Sequence, residues 1–270
     1  MEKLIITLAP TGNVPTKNLN PHSALTIDEI VKDIEKCKKL GASVAHLHVR
    51  DDELKPTSQR SKYKKLLSEI YKRDMDIITQ VSTGARGGEN TAKWRGQMLD
   101  LDADMASLST GSSNFPTSAN VNSPKLIKNL ALKMKENGLK PEIEVFDLAM
   151  INNAKYLAKK GIVKEPLHFN LVMNVPGSIP GTVKNLLFLV ESLPKNSTWS
   201  VSGIGHSQIK MLTMAIILGG HVRTGLEDVL MYDKDTYATN ELLVKRVVNI
   251  ANAVGRDIAN VNGARKILSL

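Results

Sequence analysis

The feature that most constrains this chain is an alternation sustained from one end to the other, in which short apolar runs are followed by longer amphipathic segments. The runs lie at 4–8, 43–49, 76–81, 105–109, 142–146, 168–172, 198–202 and 220–224. Their length and their β-branched content predict strands. Between and after them, apolar residues recur at helical spacing over 27–40, 58–73, 92–100, 124–137, 148–160, 183–193, 208–218 and 236–254. Eight strand-then-helix units, with no low-complexity linker, predict a single α/β domain over residues 1–270, folded as a (β/α)8 TIM barrel, a fold of about 250 residues. A doubly wound sheet needs a glycine fingerprint after its first strand, and only Thr11-Gly12-Asn13 stands there. In a parallel barrel the chemistry gathers at the C-terminal ends of the strands, so each strand end is a place to look.

Composition narrows the function classes. The N-terminal MEKLIITLAP has too short an apolar run for a secretory signal, and no stretch of about 20 apolar residues occurs. The single Cys37 cannot form an internal disulfide, which together with the first point leads to the expectation of a cytoplasmic protein. Cys37 lies in a lysine-rich helical pattern and reads as a half-buried packing thiol. The net charge of +9 is spread over scattered lysines, and aromatics are only 4% of the chain. No stacking platform is evident, so nucleic acid and membrane are not expected partners, and anionic small molecules suit the charge better.

The second run, Val44-Ala-His-Leu-His-Val-Arg50, places His46 and His48 two apart. In a strand such side chains share a face, about 6.5 to 7 Å apart at Cα, and can share one metal ion. Taken alone, the pair reads equally as two satisfied barrel histidines. The eighth run, continuing as Gly219-Gly-His-Val-Arg-Thr-Gly-Leu-Glu-Asp228, delivers Glu227 and Asp228 to the same barrel mouth. Two imidazoles, one carboxylate and an open position are a set used by catalytic zinc (Zn2+). The competing reading of Glu227 and Asp228 is a solvated helix start, where acids are common. His221 lies one step deeper and reads as barrel packing.

Other strand ends add polar groups. Arg223 should face inward near the rim, where it needs either a substrate carboxylate or Asp228 as partner. In the fifth run Ile143 and Val145 take the apolar face, which leaves Glu142 and Glu144 toward the interior, where a carboxylate must be paired. Glu144, nearer the mouth, is the functional candidate, and Glu142 is expected to meet a basic neighbour lower down. Ser82, Ser107 and Ser109 end the third and fourth runs and can donate to a substrate carboxylate or a developing oxyanion. No general base adjoins Ser82, so it is not read as a nucleophile. Ser202-Gly-Ile-Gly-His-Ser207 leads into a helix where many barrels bind phosphate, and two glycines fit a tight turn as well as a site for part of a CoA.

Taken together, LIITLAPTG, GASVAHLHVRDD, QVSTG, PEIEVFD, LVMNVPG, SGIG and GGHVRTGLED resemble the β-keto acid cleavage enzyme family, over essentially the whole chain. HLHVRDD with GGHVRTGLED is the specific part. The resemblance implies a zinc-binding barrel, a homo-oligomer (a tetramer), and exchange of a β-keto acid and acetyl-CoA for acetoacetate and a new acyl-CoA. It implies His46, His48 and Glu227 as zinc ligands, Asp228 as general base with Arg223 as its partner, and Ser82, Ser107 and Glu144 at the substrate. The base requires a pKa raised by burial, which Arg223 opposes.

Two positions depart from the family pattern. The aminohexanoate-cleaving branch is expected to carry an acid after the first strand to meet the substrate ammonium, whereas Thr11-Gly-Asn-Val-Pro15 has Val14 there. With Thr11 and Val14 in the substrate site, a neutral or apolar β-keto acid is the expected substrate. Ser109 stands where an Asn is expected. Two rival readings are a zinc hydrolase of the amidohydrolase type, which would recruit His168 or His206, and a non-catalytic barrel with zinc for stability alone, which would need a fourth ligand.

Overall fold

The structure is a computed structural model that describes residues 1–84, 88–116 and 118–270. Eight strands form a closed barrel: β1 (Ile6–Leu8), β2 (Val44–Leu47), β3 (Ile78–Val81), β4 (Met105–Ser109), β5 (Lys140–Val145), β6 (His168–Met173), β7 (Thr198–Gly203) and β8 (His221–Thr224). All eight neighbouring pairs are parallel, and β1 closes the ring on β8 through Ile6↔Val222 and Thr7↔Arg223. The predicted (β/α)8 architecture is therefore the observed one.

The helices follow from local signals. Helix α1 (Ile27–Leu40) starts at Thr26, whose hydroxyl accepts from the Glu29 N–H while Glu29 reaches back to the cap, and it ends on left-handed Gly41. Around the ring come α2 (Arg60–Lys72), α3 (Ala92–Arg95), α4 (Pro124–Glu136), α5 (Leu148–Lys159), α6 (Val183–Ser192), α7 (Gln208–Leu218) and α8 (Asn240–Ala253). Ser123 caps α4 with Pro at its first turn, and Asp147 caps α5. Outward-facing strand residues such as Leu8, Leu47, Leu108, Val145, Leu171 and Val222 are buried against the helix ring in one continuous cluster. At about 25 cal/mol per Å2 of apolar surface, that contact is the main source of stability.

The interior has two characters. At the N-terminal ends of the strands, Ile5, Val44, Ile78 and Met105 pack on Val261, Ala264 and Leu268 of α9 (Val261–Leu268), a last helix that plugs that end. Above this plug the inward residues are polar: His46, Gln80, Ser107, Glu142, Asn170 and Arg223 are all buried. Gln80 Nε2, Asn170 Nδ2 and Arg223 Nη1 make no hydrogen bond among the described residues, so this polar layer forms the floor of a site.

Several boundaries differ from expectation. Helix α3 stops at Arg95, where its C-cap Gly96 leaves helical geometry at φ −110° and ψ 11°. Helix α8 begins only at Asn240, capped by Thr239, because the preceding residues return beside Leu230 and Met231. The second apolar run breaks at His48, and Val49–Arg50 turns into a small antiparallel hairpin with Pro56–Thr57. Cys37 is fully rather than half buried, and burial pushes its thiol far up, which makes it inert packing. Among the described residues, no helix is long and apolar enough to cross a membrane.

Candidate metal centre and active site

The strands bring the sequence candidates to one place, at the C-terminal mouth. His46 sits at the inward-facing penultimate position of β2, and His48 lies just beyond the strand rather than in it. Their rings still converge, with Nε2 atoms 3.3 Å apart. Glu227 comes from the turn after β8 and completes the triangle: Oε2 is 3.6 Å from His46 Nε2 and Oε1 is 3.5 Å from His48 Nε2. That turn is not a helix start, which removes the solvated-acid reading of Glu227 and Asp228. The three ligand atoms lie within 4.8 Å of one another, and among the described residues no other such group of His, Cys, Asp or Glu side chains occurs.

Whether these residues fit a metal can be judged from their unmet bonds. Glu227 Oε2 is buried and makes no hydrogen bond among the described residues. His46 Nδ1 faces Gln80 Oε1 at 2.5 Å. An amide oxygen only accepts, so Nδ1 carries the proton and Nε2 presents its lone pair to the centre. Burial, followed by the nearby Arg223, pushes His46 down to about 4, so the imidazole is neutral as a ligand must be. Glu227 is held well below the usual carboxylate range, chiefly by Arg223 and then His48 and His46, which outweigh its burial. The set is complementary to a borderline divalent cation such as zinc and keeps an open side toward the cavity.

Beside the triangle, Arg223 forms a two-pronged contact with Asp228, Nε to Oδ2 at 3.1 Å and Nη2 to Oδ1 at 2.7 Å. It also reaches Glu227 at 2.7 Å and Glu144 at 3.6 Å. Burial pushes Asp228 up to about 6 against the pull of Arg223. Burial likewise raises Glu144. Ser109 donates to Glu144 Oε2 at 2.9 Å, which ties this hydroxyl to the carboxylate beside Arg223. Ser82 Oγ accepts from the Gly84 N–H at 3.2 Å and Ser107 Oγ accepts from the Thr83 N–H at 3.3 Å. Each hydroxyl keeps its proton for another acceptor. Thr11 is buried with its hydroxyl unpartnered among the described residues, and Val14 is half exposed on the cavity wall.

Deeper groups stay apart from this centre. Glu142 meets His168 at 3.3 Å, and His221 accepts from the Ile5 N–H at 3.1 Å near the barrel bottom. Neither His168 nor His206 joins the metal group, which disfavours the hydrolase reading, and no fourth ligand of these types joins it among the described residues. Three residues the sequence reading passed over support the site. Gln80 lies in register with His46 on the neighbouring strand. Gly12 lies against Glu227. Arg50 donates to the carbonyls of Gly12 and Pro15. Gln80 could have been noticed from its place on the face of Ser82, whereas nothing local marks Gly12 or Arg50.

Glu227, Arg223 and Asp228 border a cavity of about 850 Å3, also lined by Val14, Phe115, Phe146, Val172, Ile204 and Arg246. Fold and site together define a (β/α)8 barrel with a candidate divalent-metal centre at the mouth, next to a buried carboxylate raised toward neutrality. The sequence profile of the beta-keto acid cleavage enzymes (BKACE) matches residues 3–270, and the chain belongs to that enzyme family. It is 43% identical, over its whole length and 99% of the relative, to the 3-keto-5-aminohexanoate cleavage enzyme of Fusobacterium nucleatum. It is 42% identical, over 98% of the chain and 94% of the relative, to the 3-oxoadipate:acetyl-CoA acetyltransferase of Cupriavidus necator. Its fold matches apo ObcA with a TM-score of 0.82 at 21% identity, over 93% of this chain and 66% of that longer one.

Proposed function

We propose that this chain is a zinc-dependent acyltransferase that exchanges a neutral or apolar β-keto acid and acetyl-CoA for acetoacetate and a new acyl-CoA. The observation that carries the reading is the convergence of His46, His48 and Glu227 beside the buried Arg223–Asp228 pair. The printed activities of relatives at 42–44% identity support it. His46, His48 and Glu227 hold the metal. Zinc bound there supplies Lewis-acid polarisation of the substrate ketone.

Asp228 takes the proton from the carbon between the ketone and the carboxylate of the β-keto acid, and Arg223 fixes the orientation of that base. The resulting carbanion attacks the thioester carbonyl of acetyl-CoA and expels CoA thiolate. The thiolate adds to the original ketone, the bond to the central carbon breaks, and acetoacetate leaves after Asp228 returns the proton. Ser82 and Ser107 present free hydroxyl protons to the substrate carboxylate or to developing oxyanions, with Thr11 as a further donor. Glu144, bonded by Ser109 and facing Arg223, lines the same space.

Specificity follows from the wall. Val14 stands where the aminohexanoate-cleaving branch is expected to offer an acid, and Phe115, Phe146, Val172 and Val175 continue an apolar lining that favours an uncharged acyl group. The test is carbon bookkeeping with acetyl-labelled [13C2]acetyl-CoA and a panel of β-keto acids. The label is expected in the methyl and ketone carbons of acetoacetate, with an unlabelled new acyl-CoA and faster turnover of neutral than of amino substrates. Consumption of the keto acid without acetyl-CoA overturns the acyl transfer, and preference for the amino substrate overturns the assigned specificity.

A further inference from the structure

We propose that the outer end of the cavity, where Arg246 and Lys234 stand, is the phosphate-binding end of the acetyl-CoA site, with the apolar wall between it and the metal triangle as the channel for the pantetheine arm. The inference rests on the acetyl-CoA reading above. The cavity volume of about 850 Å3 lies near the top of the range for small-molecule sites, about 300–1,000 Å3, and a β-keto acid alone would occupy a fraction of it.

The charge along the cavity is polarised. At the inner end three carboxylates, Glu144, Glu227 and Asp228, surround the one guanidinium of Arg223. With the proposed divalent ion in place the charges of that end cancel, so it offers the CoA phosphates no surplus of cations. At the outer end the lining cations are Arg246 and Lys234, and neither has an ion-pair partner among the described residues. The guanidinium of Arg246 lies 3.4 Å over the Tyr232 ring, and its Nη2 donates to the Tyr232 carbonyl. The stack fixes the plane of the fork while Nε and Nη1 make no hydrogen bond among the described residues, an arrangement pre-organised for phosphate. Asp233, the carboxylate lining this end, turns Oδ1 to the N–H groups of Asp235 and Thr236 in its own loop. The lining also includes Val172, Ile204, Val229, Leu230 and Met231, an apolar wall. That suits an uncharged arm.

The test is calorimetric titration of CoA, dephospho-CoA and pantetheine into the wild type and into Lys234→Glu and Arg246→Gln. Lys234 is exposed and makes no hydrogen bond or ion pair among the described residues, so it keeps the test interpretable if the Arg246 variant is unstable. Each variant is expected to bind CoA about tenfold more weakly, with a shallower salt dependence, and pantetheine as the wild type does. Unchanged CoA affinity in Lys234→Glu and in a folded Arg246→Gln, or an equal loss with pantetheine, overturns the assignment. A wild type that binds no CoA instead overturns the acyl-transfer reading beneath it, so the two failures are distinguishable.

Discussion

Gly12 and Glu227 are in such close approach that a β-carbon at position 12 would fall 2.4 Å from Glu227 Cγ and 2.9 Å from Cδ. The loop carrying Gly12 cannot retreat easily. Arg50 donates to the Pro15 carbonyl at 2.8 Å and also to that of Gly12, while Asn240 holds the Pro10 carbonyl and the Leu226 N–H, each at 2.9 Å. The backbone after β1 thus sets the position of a ligand delivered from after β8.

Gly12→Ala is therefore expected to move the Glu227 side chain rather than the fold. Metal affinity should fall about tenfold or more, as for perturbed ligand support elsewhere, with little change in the thermal midpoint. Competition against a chromophoric chelator measures the first quantity and a thermal melt the second. Unaltered affinity would show that Glu227 does not depend on this contact.

Gln80 acts on the opposite side of the triangle by fixing the tautomer of His46. Gln80→Leu keeps the volume and removes the acceptor, so metal affinity should drop about 10- to 100-fold while secondary structure is retained. Equal metal affinity in the variant would contradict the orienting role.

Most of the fold was legible in the sequence because strand and helix periods differ and alternate cleanly, and the bounds predicted for α1 and α7 are those observed. Helix α9 was missed because Gly263 sits in its first turn, although Asn260 as its cap and the spacing of Val261, Ala264 and Leu268 are helix signals. At the site, His46, His48, Glu227, Asp228 and Arg223 were legible because polar residues at inward strand positions are costly without a purpose. Gly12 and Arg50 were not, because their contacts run across 38 to more than 200 residues of chain. The bond from Ser109 to Glu144 was hidden for the same reason, since the two are 35 residues apart.

Val14 offers a test of specificity. Val14→Glu adds a carboxylate to the cavity wall, and at a half-exposed position its attraction for a substrate ammonium is worth about 1 kcal/mol, or about fivefold. The ratio of kcat/KM for 3-keto-5-aminohexanoate over a neutral analogue should rise by that factor. A ratio that stays fixed would remove position 14 from the specificity account.

Metal removal should leave the barrel folded, because the apolar plug of Ile5, Val44, Ile78, Met105 and α9 lies at the opposite end from the triangle and the helix ring does not depend on it. Circular dichroism before and after treatment with a chelator tests this. Global unfolding on chelation would favour the purely structural role for the metal.

The proposed chemistry rests on one divalent ion held by two imidazoles and one carboxylate. Elemental analysis of the purified wild type and of His46→Ala, His48→Ala, Glu227→Ala and His206→Ala tests it most directly. The account predicts about one zinc per chain in the wild type and in His206→Ala, and loss of the metal in the other three. Full metal content in any of those three, or none in the wild type after zinc loading, would contradict it.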